Sequence, residues 1–170
     1  MSWIQPIIDR TSQDIINVKA FIKVIQSDGW NSLTTEDKNK FLGELRGTFS
    51  STTINRIINN IYYLEQYLVQ CGYLPKLSYS LSADWTNSEL VTLDTLNKVV
   101  TDIQNLIDCF YEVSHALPTD LAVLTFEKVN TIENVEWDIK YWLDKINQHK
   151  LYCGQPFCGQ TVVGGLLYAR

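Results

Sequence analysis

Ser51-Thr52-Thr53-Ile54-Asn55-Arg56-Ile57-Ile58-Asn59-Asn60-Ile61-Tyr62-Tyr63-Leu64, running on to Leu68 and Gln70, is the stretch that decides the fold. Its apolar residues Ile54, Ile57, Ile58, Ile61, Leu64 and Leu68 return every third or fourth position, which places one stripe along an α-helix. Ser51-Thr52 supplies a start and Gly72 a stop. The same opening (apolar, Asn, any residue, β-branched) recurs as Leu96-Asn97-Lys98-Val99 and as Val129-Asn130-Thr131-Ile132. The second copy lies 42 residues beyond the first and keeps its apolar positions through Phe110. The third lies 33 residues further on and keeps fewer, because Glu133 and Glu136 stand where Ile58 and Ile61 would map. Unequal spacing excludes a regular solenoid and leaves one helix design used repeatedly in a small bundle. The three asparagines are expected to form a polar layer that fixes the register of that bundle. A polar site at the end of the bundle is the functional alternative.

Further helices flank this unit. One is predicted from Thr11 or Ser12 to Asp28-Gly29, burying Ile15, Val18, Phe21, Ile22 and Ile25. A short one follows Thr34, with Glu36 and Asp37 in its first turn and Gly47 at its end. Thr86 and Glu89 read as a capping box ahead of a helix over about 92–114. Thr125 caps a last helix through Val129, Ile132, Val135, Ile139, Leu143 and Ile146. The expected architecture is all-α: four to five helices over residues 1–150. Residues 151–170 are expected to form an extended or hairpin arm, because after His149 the chain turns to glycine, aromatic and β-branched residues.

Composition narrows the function classes. Of 170 residues, 45% are hydrophobic and 19% charged, enough apolar material for one core and too little charge for a disordered chain. A net charge of −5 argues against the broad basic face that nucleic acid requires. The first residues lack a basic and apolar leader, and the uncharged stretch from Leu151 to Ala169 carries Pro156 and several glycines, so no membrane insertion is expected. No phosphate-binding, dinucleotide or zinc-protease motif occurs. His115 and His149 are expected near helix ends, and the acids are expected on solvated helix faces. A non-enzyme without a cofactor follows as the expectation.

Cys71 and Cys109 read as reduced packing residues. His149, Cys153 and Cys158 fall short of a zinc site in number and spacing, and a Cys153–Cys158 disulfide or simple burial remain open. The helices also carry aromatic pairs off their main stripes: Tyr63 with Tyr67, and Trp137 with Tyr141. Such pairs mark either a helix buried on two sides or a docking patch. The arm repeats Tyr152-Cys153-Gly154-Gln155 as Phe157-Cys158-Gly159-Gln160, which makes Tyr152, Gly154, Phe157 and Gly159 candidate docking residues. The apolar run Thr161–Tyr168 has no obvious core to join and favours assembly into a homo-oligomer.

The order Arg10-Thr11-x-x-Asp14, Leu33-Thr34, Leu45-Arg46-Gly47, Ile54-Asn55-Arg56-Ile57, Tyr63-Leu64 and Gly72-Tyr73 resembles a family of small phage proteins. So does its continuation through Asp84-Trp85-Thr86, Leu124-Thr125-Phe126-Glu127, Asn130, Ile132-Glu133, Tyr152-x-Gly154 and Gly159. These are minor virion structural proteins, or helical modules of baseplate and fibre components, of tailed phages and prophages of Firmicutes. The resemblance spans residues 10 to 160 and brings no catalytic residue with it. It implies a structural or adaptor protein of the phage tail, located in the virion, whose partners are other tail or baseplate proteins. The alternatives are a helical regulatory binding module absent from particles and, third, a small cysteine-based metal or redox protein.

Overall fold

The computed structural model describes residues 2–42, 46–86, 89–109 and 113–153, with side chains other than those of residues 41, 42 and 149–153. Five α-helices occur among these residues: α1 (Ser12–Asp28), α2 (Thr35–Leu42), α3 (Ser51–Gln70), α4 (Leu93–Ile107) and α5 (Phe126–Cys153). A 3₁₀ turn, Trp30–Ser32, joins α1 to α2. No strand occurs among the described residues, so the fold is a small all-helical bundle.

Each start follows from a local hydrogen bond that relieves an unpaired helix N–H. Thr11 and Asp14 form a reciprocal capping box on α1. Ser50 accepts from the Thr53 N–H, Thr92 from the Thr95 N–H, and Thr125 from the Lys128 N–H. α1 stops at Gly29, whose φ of +79° suits glycine alone. α3 stops where the Tyr73 N–H reaches Leu68 O at 3.0 Å and the Gly72 N–H reaches Val69 O at 2.9 Å.

Three features differ from the sequence expectation. Thr86 and Glu89 do meet, with the Thr86 N–H 2.6 Å from Glu89 Oε2, but they do not open the helix: α4 begins at Leu93, behind Thr92. α4 ends at Ile107 instead of near 114, which leaves His115 in the loop before α5; Phe110 lies outside the described residues. α5 continues to Cys153, three residues into the segment expected as an arm, and residues 154–170 lie outside the described residues.

The core belongs to α3, α4 and α5, each of which packs on the other two. Ile54, Ile57, Ile58, Ile61, Leu64 and Leu68 of α3 meet Leu96, Val99, Ile103 and Leu106 of α4 and Ile132, Val135, Ile139 and Leu143 of α5. Burying these side chains drives association, each contributing roughly 1.5–3 kcal/mol. α1 stands apart. Of its five expected core residues only Val18 is buried, while Ile15, Phe21 and Ile25 are half-buried and Ile22 is exposed. Its packing partner is the 3₁₀ turn, and Val18 and Leu33 lie outside the main core.

Candidate functional site

The recurring asparagines do not share a layer. Asn55 Nδ2 donates to Trp85 O at 2.8 Å while its Oδ1 accepts from the Trp85 N–H at 2.9 Å. Asn60 does the same with Ile4, at 2.9 and 3.0 Å. Asn130 does so with Arg10, at 2.9 and 3.4 Å. Each carboxamide thus presents one donor and one acceptor to a passing backbone, as a neighbouring strand would. Asp102 of α4 holds another segment, accepting from the N–H groups of Ser78 and Tyr79 at 2.7 and 3.2 Å. Asn97, the third asparagine of the repeat, is exposed. The helices therefore use these polar residues to pin the extended segments around them, in place of the expected layer.

Below two of these pins lies a buried charge cluster. The expectation that the acids lie on solvated faces fails for Asp102, Glu133, Glu136 and Asp138, all of them buried. Glu133, with 0% exposure, accepts from Arg56 Nε at 2.6 Å and pairs with Arg10 Nη1. Glu136, also 0% exposed, accepts from Asn60 Nδ2 at 3.3 Å, and its Oε1 has no hydrogen-bond partner. Burial, then the negative charge of Glu133, holds the Glu136 carboxyl well above the usual carboxylate range. The sequence signal for this pair was the interruption of the apolar stripe at positions equivalent to Ile58 and Ile61. It marked two acids on the inward face of α5.

The aromatic residues fall into two groups. Tyr63 and Tyr67 of α3 are half-buried and pack against the core, with ring centres 5.9 Å apart. Trp3, from the N-terminal segment, lies 5.6 Å from Tyr63 and 6.4 Å from Trp137. Tyr67 donates its hydroxyl to Asp144 at 3.1 Å, and burial followed by that hydrogen bond pushes its pKa up to about 12. On α5, Trp137, Tyr141 and Trp142 remain 39%, 50% and 41% exposed. Tyr141 and Trp142 meet edge-on at 5.6 Å, and Lys145 sits 5.4 Å from the Tyr141 ring. Trp3 and Trp142 join this surface although the sequence reading did not select them. The other candidates, Tyr152, Gly154, Phe157 and Gly159, lie where no side chain is described.

The chain matches no protein-family model, no curated protein and no solved structure.

One further arrangement has chemical potential. His115 Nδ1 lies 2.8 Å from Asp138 Oδ2, which also accepts the His115 backbone N–H at 3.0 Å. The imidazole borders a groove of about 660 Å³ between α4 and the loop 113–121. A histidine oriented by a carboxylate is two parts of a triad. Among the described residues lining the groove, the hydroxyls are those of Thr101 and Thr119, and no serine or cysteine is present. No group of three or more His, Cys, Asp or Glu side chains among the described residues could hold a metal ion, and no helix among them is long and apolar enough to cross a membrane.

Proposed function

We propose that this protein is a non-enzymatic docking module that presents the aromatic face of α5 to a protein partner, as an adaptor or assembly component of a phage tail. The observation that carries the docking reading is the exposed set Trp137, Tyr141 and Trp142 on one rigid helix of the core. Large aromatic side chains left in water on a rigid helix cost solvation that a partner recovers, and Tyr and Trp dominate the energetics of protein interfaces. The tail assignment and a place in the virion are supported by the sequence resemblance alone, and assembly into a homo-oligomer by the apolar run Thr161–Tyr168.

Two measurements test the two halves separately. Quantitative mass spectrometry of density-purified particles is expected to find the chain at a fixed low ratio to the major tail protein. Its absence from intact particles overturns the tail reading and leaves a non-virion regulatory module. Replacing Trp137, Tyr141 and Trp142 together by Ser is expected to leave helix content unchanged and abolish co-purification with tail components. Undiminished co-purification overturns the role of this face.

A further inference from the structure

The segment Ser2–Arg10 is not helical, yet it is anchored along α3 and α5 at three levels. Trp3 rests on Tyr63 and Trp137, Ile4 is pinned through both backbone groups to Asn60, and Arg10 is pinned to Asn130 and paired with Glu133. Pro6, midway, is buried. The middle anchor differs from the lower one in what supports it. Asn60 Nδ2 is shared between Ile4 O and Glu136 Oε2, so one amide joins the segment to a fully buried carboxyl. From α3 that carboxyl faces Arg56 and Asn60, along α5 it faces Glu133, and from the segment Arg10 approaches through its pair with Glu133.

We propose that Ser2–Ile8 is a proton-gated strap, seated while Glu136 is neutral and lifted from α3 and α5 when Glu136 ionises, with Arg10 as its pivot. An ionised Glu136 needs more hydrogen bonds than it makes in the seated state, since one oxygen has no partner and the other only a long contact from an amide, and the Arg56 charge is shared with Glu133. Water can supply them once the segment that closes over Asn60 through both backbone groups of Ile4 moves away. Arg10 stays attached because its contacts to Asn130 and Glu133 do not run through the Asn60–Glu136 pair. Lifting uncovers Tyr63 and the inner side of Trp137, which enlarges the aromatic face. The gate operates whatever partner that face takes, so it stands apart from the proposed function.

The full chain labelled with 5-fluorotryptophan tests this by ¹⁹F NMR, with the Trp3 signal assigned by its loss in Trp3→Phe. As pH rises the Trp3 signal is expected to move from a seated to a released position, with Trp137, its ring neighbour, shifting alongside it while the Trp30, Trp85 and Trp142 signals stay in place. In Glu136→Gln, Trp3 is expected to remain seated throughout. In Asn60→Ala, Trp3 is expected at the released position at every pH. A Trp3 signal that does not move in the natural chain overturns the gate. So does a transition that persists unchanged in Glu136→Gln, or a seated and still pH-dependent Trp3 in Asn60→Ala. Should Glu136→Gln fail to fold, the natural chain and Asn60→Ala decide the matter together.

Discussion

At the scale of single residues, Glu133 and Glu136 sit one turn apart in the same dry interior and play opposite electrostatic parts. Glu133 is ion-paired to Arg10 and Arg56. Removing one partner of a buried pair strands the other charges, so Glu133→Ala is expected to cost about 3–5 kcal/mol in urea denaturation. Glu136 instead couples stability to pH. Unfolded, its carboxyl ionises near 4.5, whereas burial and Glu133 keep the folded carboxyl protonated well above that. Between those limits the folded state binds more protons, so this contribution is complete below about 4.5 and is lost as pH rises through the folded value. Asp14 and Asp120 act in the other direction. Hydrogen bonds led by the Thr11 and Ala122 N–H groups lower their pKa values, so their contribution is present above 3.8 and lost as pH falls. Urea melts across the neutral range are expected to show stability falling with pH in the natural chain. Glu136→Gln is expected to flatten that slope, and an unchanged slope assigns it to another group.

At the scale of elements, three helices share one sequence opening but use its asparagine differently. Asn55 and Asn130 each satisfy both polar groups of a residue in another segment, whereas Asn97 faces solvent. Asn55→Ala and Asn130→Ala are each expected to destabilise by about 1–3 kcal/mol, because each strands backbone groups in a partly buried setting. Asn97→Ala is expected to stay within about 0.5 kcal/mol in the same denaturation assay. Equal losses at all three positions would mean that the asparagines act through helix propensity alone. The packing of α1 rests on a different device. A Cβ at Gly47 would lie 2.5 Å from the Asp14 carbonyl oxygen, so the two backbones touch where glycine has no side chain. Gly47→Ala is expected to displace α1 and cost about 1–3 kcal/mol. Amide exchange along Ser12–Asp28 should accelerate while α3 keeps its protection.

At the scale of the whole molecule, a core of three mutually packed helices stands apart from an outlying unit of α1 and the 3₁₀ turn. The outlying unit buries little: Val18 and Leu33 are its buried hydrophobics among the described residues, against the long row contributed by α3, α4 and α5. Regions with few buried apolar contacts open with a smaller free energy than the global one. Native-state hydrogen exchange is expected to show α1 opening first and α3 to α5 exchanging together near the global limit. Uniform protection of α1 with α3 would remove the division. The aromatic face lies on the more cooperative part, so a partner docking there meets a surface that does not rearrange with α1.

What the sequence by itself determined is local. The periodicity of α3, α4 and α5, the caps at Thr11 and Thr125, and the stop at Gly29 all depend on neighbours within a turn or two and were legible from residue order, whereas the cap of α4 is Thr92 in place of the expected Thr86. Even the breaks in the α5 stripe at Glu133 and Glu136 were visible, although not what they meant. Tertiary structure decided the rest, because it depends on which distant groups meet. Glu133 is tolerated in the interior because Arg10 and Arg56 reach it across 123 and 77 residues of chain, and Asp138 orients His115 from 23 residues away. No spacing rule reaches that far. The fate of α1 was decided in the same way, since an apolar stripe states that a helix can be buried, while the number of other helices competing for the core determines whether it is.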